Sequence, residues 1–279
     1  MHFWKVNGAG NDFIILSALT LDLSEERFSA LAKHLCHRRH SIGADGLMVV
    51  LPPEGKADFR MLFFNADGSK GEMCGNGARC ICRFGYELGL SGEKQTIETT
   101  AGIVTGKRLS EREYRIRLND VTLTDLSHRV VVDGIRYDCA YVELGDPGLP
   151  HAVVPYADLE NAGEDELREL GQALCHHPAF PKGANVNFYD ITGEDDVFIR
   201  TYERGVEDFT LACGTGSASV AAVLTLKGLL SGEGVRIRSA GGTLTVDMDR
   251  VGSHINSLYL TGTTNFVAEG EITDEDLPQ

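Results

Sequence analysis

The chain has 279 residues, of which 42% are hydrophobic and 24% charged, a composition typical of soluble globular proteins. Its formal net charge of −15 disfavours nucleic acid and anionic membrane surfaces as partners, since both select clustered Lys and Arg. No leader segment and no stretch of 18 apolar residues is visible, and the seven cysteines fall at irregular spacings, which predicts a cytoplasmic protein with reduced thiols.

The hydrophobic pattern predicts strands that alternate with four helices. Aromatic and β-branched residues mark the strands, whereas Ser24 is suited to cap the first helix, and Gly89 and Gly232 to end two of the others. The predicted elements in chain order are a helix over 25–37, a strand over 58–64, a helix over 78–88, a strand over 95–98, a helix over 164–176, a strand over 197–202, a helix over 217–230, a strand over 235–238 and a last strand over 258–267.

The chain resembles itself at a shift of about 139 residues. Cys74-Gly-Asn-Gly77 corresponds to Cys213-Gly-Thr-Gly216 (213 − 74 = 139), and Ala101-Gly102 corresponds to Ala240-Gly241. Several such pairs in the same order predict an internal duplication. We therefore expect an α/β (α+β) fold of two pseudo-symmetric domains, each a curled mixed sheet around a central helix, with the active site in the cleft between the domains. The predicted domains are 1–119, joined by a returning strand over 264–279, and 120–263.

Each half carries a cysteine where a glycine-flanked turn opens a helix. The unpaired N–H groups of a helix start stabilise a thiolate, which predicts a lowered pKa for Cys74 and Cys213. The same N–H groups can bind a carboxylate. Two such loops facing each other suit inversion at a carbon, because one thiolate can remove a proton while the opposite thiol supplies one.

Other chemistries find less support in the residues. The Gly-rich segment Gly8–Phe13 lacks the third glycine of a dinucleotide loop and precedes a strand-like run. Cys74, Cys80 and Cys82 lack the second ligand pair of a zinc site, so no metal is expected. A pyridoxal-phosphate lysine stays open, although it would leave the second cysteine without a use. We expect no cofactor.

Eight short motifs follow one another along nearly the whole chain. They are Lys5–Phe13, Ile42–Leu47, Phe64–Ser69, Met73–Arg79, Glu98–Gly102, Asn185–Phe188, Tyr202–Gly205 and Ala212–Gly216. Together they resemble the motifs of the diaminopimelate epimerase family. The resemblance implies a pyridoxal-independent, two-base epimerase that converts L,L-diaminopimelate to the meso form, on the route to lysine and peptidoglycan. It also implies a small amino-acid substrate and a homodimer.

Roles implied by the resemblance can be assigned position by position. Cys74 and Cys213 match the catalytic pair, and Arg204 suits a carboxylate at the distal end of the substrate because its planar fork binds in a bidentate manner. The loops that hold the reacting carboxylate are matched by Gly75, Asn76, Gly214 and Thr215. The groups that bind the rest of the substrate are matched by Asn11, Asn65, Asn185, Glu203 and Arg204.

Two segments depart from the family pattern. The family usually has Gly-Asn-Pro-His, whereas this chain has Gly145-Asp-Pro-Gly-Leu-Pro-His151, and Phe209 stands where a polar residue is usual. Because Asp146 would repel a distal carboxylate, a racemase of the same fold acting on another amino acid, such as histidine, stays an alternative. A dithiol redox enzyme that pairs Cys74 with Cys213 and a non-catalytic amino-acid-binding protein are the alternatives of a different class.

Overall fold

The computed structural model describes residues 1–20, 23–71 and 74–278, so Met73 of the fourth motif and Gln279 of the predicted returning segment lie outside the described residues. The chain divides into two compact units. Unit 1 comprises Met1–Ile116 with Thr261–Gln279, and unit 2 comprises Arg117–Leu260.

Within the described residues, four α-helices and eighteen strands are present. The helices are α1 (Glu25–Leu35), α2 (Gly75–Glu87), α3 (Glu164–Cys175) and α4 (Gly214–Leu226). The first strands are β1 (His2–Gly8), β2 (Asn11–Ser17), β3 (Gly46–Leu51), β4 (Phe59–Asn65), β5 (Lys70–Gly71), β6 (Lys94–Thr99), β7 (Gly102–Arg108), β8 (Glu113–Arg117) and β9 (Val121–Val132). The remaining strands are β10 (Ile135–Leu144), β11 (Leu149–Pro155), β12 (Asn185–Gly193), β13 (Asp196–Glu203), β14 (Asp208–Thr210), β15 (Val235–Ser239), β16 (Gly242–Val251), β17 (His254–Thr263) and β18 (Asn265–Glu271).

The sheet of unit 1 is mixed. Strand β1 lies between β18 and β2, antiparallel to both. Strand β2 is parallel to β3, which is antiparallel to β4. Strand β4 is in turn parallel to β6, and β6, β7 and β8 follow as an antiparallel meander. The parallel pairs are the ones that α1 and α2 connect, as expected of crossover connections.

The sheet of unit 2 repeats this order. Strands β10 and β11 are antiparallel, β11 and β12 parallel, β12 and β13 antiparallel, β13 and β15 parallel, and β15 and β16 antiparallel. Helix α3 connects β11 to β12 and α4 lies between β14 and β15, as α1 and α2 do at the equivalent points of unit 1. The predicted fold class, an α+β fold of two related halves, is confirmed.

The second helix of each unit is buried on nearly every side. Helix α4 consists of small and apolar residues all round, and it packs against β10, β11, β12 and β16. Helix α2 packs against β1, β2 and β7 and buries ten residues, Arg79 among them. By contrast, α1 and α3 are amphipathic and bury one face each. The burial of a Leu or Phe side chain, such as Leu31 or Phe28 of α1, contributes about 1.5–3 kcal/mol.

Some predicted boundaries are wrong. Helices α2 and α4 begin at Gly75 and Gly214, three residues before the predicted starts, and α4 ends at Leu226 instead of Leu230. Gly228, with φ 73°, ends this helix in place of Gly232. The single predicted strand over 258–267 is two strands, β17 and β18. None of the helices in the described part of the chain is long and apolar enough to cross a membrane.

Candidate active site

The two motif cysteines occupy equivalent positions at the starts of α2 and α4. Cys74 is the N-cap of α2 with φ −112° and ψ 124°, and Cys213 is the N-cap of α4 with φ −112° and ψ 114°. Each cap carbonyl accepts the first intrahelical bond, from Ala78 N at 2.8 Å and from Ser217 N at 2.9 Å. Each cysteine therefore stands at a helix start, where the first N–H groups lack partners within the helix.

In unit 1, the start of α2 is connected to the hairpin of β1 and β2. The Asn76 Nδ2 donates to Asn11 Oδ1 at 2.5 Å, and the Asn11 Nδ2 donates to Asp45 Oδ2 at 3.2 Å. The hairpin turns through Ala9 and Gly10, whose φ values are 54° and 87°. The structure thus brings together three of the predicted site residues of unit 1: Asn11 and Asn76, with Cys74 at the cap of the same helix.

Three ionic side chains, those of Lys5, Asp12 and Arg38, anchor this hairpin. The Asp12 carboxylate contacts Lys5 Nζ at 2.7 Å and Arg38 Nη2 at 2.7 Å. Although burial raises the pKa of Asp12, its hydrogen bonds and charge interactions with Arg38 and Lys5 outweigh burial and bring the pKa to about 2. Asp12 is therefore ionised at any pH at which the protein would work, and it keeps its ion pairs with Lys5 and Arg38.

Asn65, another predicted residue of unit 1, makes hydrogen bonds within its own turn. It ends β4, and its exposed side chain donates from Nδ2 to Ser69 Oγ at 2.9 Å across the turn to β5. Its own N–H bonds to Ser69 O at 2.8 Å. These contacts fix the turn and leave the role of Asn65 in substrate binding a prediction.

In unit 2, Cys213 is 8% exposed and interacts with Glu203. The Cys213 Sγ accepts from Gly216 N at 3.3 Å and lies 3.5 Å from Thr215 Oγ1. Burial and the charge of Glu203 raise the pKa of Cys213 well above its usual value, and the Thr215 and Gly216 contacts offset only part of this. The predicted lowering of the pKa at Cys213 is therefore wrong, since the helix start is opposed by burial and a neighbouring carboxylate.

The remaining predicted residues of unit 2 lie where β12 begins, at Asn185, and where β13 ends, at Glu203 and Arg204. Asn185 is 6% exposed, and its Oδ1 accepts from the backbone N–H of Arg204 at 2.9 Å. The exposed Arg204 guanidinium donates to the carbonyl of Lys182. Burial raises the pKa of Glu203, while contacts with Cys213 and Thr210 lower it in part. Unit 2 thus collects a thiol, a carboxyl and a guanidinium near the end of one hairpin.

Three polar groups that sequence reasoning missed support the predicted residues. Fully buried Asn187 donates from Nδ2 to Ala152 O at 3.0 Å and accepts from Thr201 Oγ1 at 3.0 Å. Near the 145–148 turn, the buried Glu143 carboxylate binds Lys182 and Tyr141. Buried Arg79 is the third. Asn187 and Arg79 stand inside motifs quoted above, so their positions were a usable signal, whereas Glu143 offered none.

His151 lies in β11 and is 0% exposed. Its Nδ1 is 3.2 Å from Asn187 Nδ2, and its Nε2 has no hydrogen-bond partner among the described residues. Burial, with a smaller contribution from the charge of Arg204, lowers the pKa of His151 to about 3. The imidazole is therefore neutral near pH 7, and it belongs to the interior of unit 2.

Among the described residues, one group has donor atoms close enough to hold a metal ion. It consists of Cys175, His176 and Glu207, whose candidate ligand atoms lie within 4.8 Å of one another. His176 Nε2 already contacts Glu207 Oε2 at 2.7 Å, and burial raises the pKa of the Cys175 thiol. An ion pair beside a buried thiol accounts for this group.

Solved structures share this fold. A phenazine biosynthesis protein of the PhzF family from Bacillus anthracis matches 98% of both chains with a TM-score of 0.72 and 18% identity. A probable proline racemase from Agrobacterium radiobacter K84 matches 98% of this chain and 92% of its own, with a TM-score of 0.68 and 18% identity. At these identities the likeness establishes the duplicated α+β fold.

Sequence comparison identifies the family to which the chain belongs. The family described as diaminopimelate epimerase matches residues 3–119 and 145–267. A diaminopimelate epimerase of Aquifex aeolicus is 38% identical, with 99% of both chains covered, and one of Archaeoglobus fulgidus is 34% identical, with 96% of this chain and 95% of its own covered. The chain belongs to the diaminopimelate epimerase family.

Proposed function

We propose that the protein is a diaminopimelate epimerase that interconverts the L,L and meso forms, in the supply of lysine and peptidoglycan precursors. The main support is the agreement with curated diaminopimelate epimerases over 99% of the chain, for example at 38% identity. The duplicated Cys-Gly-X-Gly helix start agrees with a reaction that needs one acid and one base of the same kind.

In the proposed mechanism, Cys74 and Cys213 act on opposite faces of one α-carbon. One sulfur removes the α-proton as a thiolate, and the other delivers a proton as a thiol. The negative charge of the intermediate is delocalised into the α-carboxylate. Hydrogen-bond donors aimed at this carboxylate stabilise it, and the first-turn N–H groups at Gly75, Asn76, Gly214 and Thr215 are suited to that task. No cofactor is needed.

The distal end of the substrate is assigned to polar groups of both units. Arg204 would bind the distal carboxylate, and Asn11, Asn65, Asn185 and Glu203 would complete the site by hydrogen bonds. The departure at Phe209 carries less weight than the sequence suggested, because its ring packs against Phe188 and Tyr202 at centroid distances of 6.3 and 5.8 Å. The exposed Asp146 keeps a racemase of another amino acid as the alternative.

The assembly and the domain assignment belong to the same proposal. We assign 1–119 with 264–279 to the N-terminal epimerase domain and 120–263 to the C-terminal one, and we expect a cytoplasmic homodimer. Light scattering of the purified protein would test the dimer. A mass near 30.3 kDa, which is that of one chain, would contradict it.

The reaction is tested by incubating the reduced protein with L,L-diaminopimelate in deuterated water without added cofactor. We expect the meso isomer to appear with one deuterium at the inverted α-carbon, and Cys74→Ala and Cys213→Ala each to lose this conversion. If deuterium enters histidine or another amino acid instead, the two-thiol mechanism stands and the substrate changes. Near-normal turnover by either alanine variant would contradict the mechanism.

The alternatives of another class give different results in the same assay. A dithiol redox enzyme would catalyse thiol–disulfide exchange without exchange of the α-proton. A binding protein would retain its affinity for the amino acid after replacement of either cysteine. If no amino acid exchanges its α-proton for deuterium and the protein shows one of these two properties, the corresponding alternative would replace the epimerase proposal.

A further inference from the structure

Arg79 is a charged residue in an unusual place. It lies in the second turn of α2, and it is 0% exposed. Its Nη1 donates to Gly75 O at 3.2 Å and its Nη2 to Asn76 Oδ1 at 2.9 Å. Both acceptors belong to the first turn of α2, which Cys74 caps. Arg79 therefore fixes the two residues that follow the thiol.

The guanidinium has no carboxylate partner in the described part of the chain. Its hydrogen bonds go to a carbonyl and an amide, and its buried Nε has no hydrogen-bond partner among the described residues. Burial lowers the pKa of Arg79, yet an arginine starts from so high a value that it keeps its charge near neutral pH. A buried charge without a counter-ion is strongly unfavourable, so a negative charge nearby is required.

Among the described residues, three thiols interact electrostatically with Arg79, those of Cys74, Cys80 and Cys82. Cys80 and Cys82 are fully buried, and burial raises the pKa of each to about 12. These two keep their protons near neutral pH. Cys74 is half-buried and stands at the helix start, where the first N–H groups favour an anion. Cys74 is thus the thiol that can carry the balancing charge.

Unit 2 has nothing equivalent. The same shift that relates the two cysteines places Ala218 opposite Arg79 (218 − 79 = 139), and the charged group that interacts with Cys213 is the Glu203 carboxylate. The two halves therefore share the cysteine motif, but the charged group beside it is the Arg79 cation in unit 1 and the Glu203 carboxylate in unit 2.

Building on the proposed function, we propose that Arg79 is a positioning residue for the epimerisation: it is the buried counter-ion of the Cys74 thiolate and holds Asn76 in the orientation that binds the substrate carboxylate. The cation stabilises the thiolate form of Cys74 before substrate arrives. Its fork orders the loop whose N–H groups and amide receive the carboxylate.

The test compares Arg79→Met and Arg79→Lys with the unchanged protein and with Arg83→Met. Arg83 is a matched control one turn further along α2, where it donates to Thr264 O at 2.8 Å. The readout is the rate of iodoacetamide alkylation of Cys74 against pH, measured by mass spectrometry of the Cys74 peptide. The alkylation rate is measured without substrate and does not depend on turnover.

In the unchanged protein, Cys74 is expected to titrate below the ordinary thiol value of about 8.5. In Arg79→Met the midpoint should rise by about one unit, with alkylation about tenfold slower at pH 7. Arg79→Lys should restore alkylation to within about threefold, because it keeps the charge. Arg83→Met should follow the unchanged protein. A folded Arg79→Met with an unchanged Cys74 profile would overturn the proposal.

Two further measurements keep the proposal testable. If Arg79→Met does not fold, thiolate absorbance near 240 nm in the unchanged protein, with Cys74→Ser as the blank, gives the Cys74 midpoint directly, and a value at or above about 8.5 overturns the proposal. In turnover, Arg79→Lys should raise KM several-fold with kcat nearly kept, since lysine lacks the fork that holds Asn76. If the unchanged protein does not turn over diaminopimelate, the proposed function is wrong. The Cys74 titration would then still test whether Arg79 is the counter-ion of the thiolate.

Discussion

At the scale of single residues, Glu203 influences whether the Cys213 thiol keeps its proton. Burial and the Glu203 charge raise the pKa of Cys213, so near neutral pH this sulfur holds its proton and would be the acid in the proposed mechanism. Glu203→Gln removes the charge and should lower the pKa of Cys213. We expect the midpoint of Cys213 alkylation to fall by about one unit, and kcat to fall by about 10–100-fold.

The control for this prediction is Glu207→Gln. Glu207 lies four residues on and makes an ion pair with His176 at 2.7 Å, so its replacement changes the net charge equally without a contact to Cys213. Its alkylation profile at Cys213 should match that of the unchanged protein. Equal shifts in both variants would mean that the overall charge sets the pKa and that the contact with Glu203 does not.

The buried His151 makes the free energy of unfolding depend on pH. Its pKa in the folded state, about 3, lies below the usual 6.5, so the unfolded chain binds a proton that the folded chain excludes. This contribution to stability is full above about pH 6.5 and is lost as the pH falls toward 3. His151→Gln should reduce the slope of the unfolding free energy between pH 4 and 6 by about 1.4 kcal/mol per pH unit.

Urea unfolding at several pH values measures this slope. His40→Gln, at an exposed histidine, is the control and should leave the slope unchanged. If His151→Gln and His40→Gln give the same slope, the His151 imidazole is protonated in the folded protein and its burial does not exclude the proton.

At the scale of elements, the two helix starts differ in what surrounds their second glycine. A Cβ at Gly216 would overlap the Asn187 Oδ1 and approach Cys213 Sγ to 3.2 Å. Asn187 cannot retreat, because bonds to Ala152 and Thr201 hold its amide. A Cβ at Gly77 would overlap only the flexible end of Met48, since its next neighbours are at 3.5 Å or more.

We therefore expect Gly216→Ala to be the more damaging change. It should lower the free energy of unfolding by about 1–3 kcal/mol and reduce kcat more than tenfold, whereas Gly77→Ala should cost less than about 1 kcal/mol. Thermal unfolding and epimerase kinetics of the two variants, side by side, make the comparison. The opposite order would show that Met48 is less mobile, or Asn187 more mobile, than the packing implies.

The ends of the same two helices show how far the sequence could predict an element. Helix α4 was expected to reach Leu230, because Leu229 and Leu230 continue the apolar pattern. It ends at Leu226 because Gly228 N bonds to Thr225 O at 3.0 Å and Leu229 N bonds to Leu224 O at 2.9 Å, a Schellman motif. Helix α2 ends in the same way at Gly89, and the shift of 139 relates the two glycines (228 − 89 = 139).

Local patterns could predict the strands, the capping cysteines and the duplication, since each depends on neighbours in the chain. The protonation of Cys213 could not be predicted, because it depends on Glu203, ten residues earlier, which interacts with the buried thiol only in the fold. The motif that contains Arg79 could draw attention to this residue, but its burial could not be predicted, since an arginine in the second turn of a helix normally faces solvent.

At the scale of the whole molecule, both ends of the chain belong to unit 1. Strand β18 pairs with β1 from His2 opposite Glu271 to Asn7 opposite Asn265, and Arg83 stacks on the Phe266 ring at 4.7 Å. A chain that ends at Thr263 lacks β18, so β1 loses one of its two neighbours and exposes a row of unpaired backbone groups. The hairpin of β1 and β2, which carries Asn11, should become unstable.

Hydrogen exchange separates this effect from general unfolding. In the chain ended at Thr263, we expect amides of β1 and β2 to exchange at least tenfold faster, while those of α4 in unit 2 keep their protection. A chain ended at Asp274 is the control, because it keeps β18 and the Asp274 contacts with His34 and Ser41 at 2.8 and 2.7 Å. Equal protection of β1 in both truncated chains would mean that β2 alone stabilises β1, whereas parallel loss in β1 and α4 would mean that the two units unfold as one.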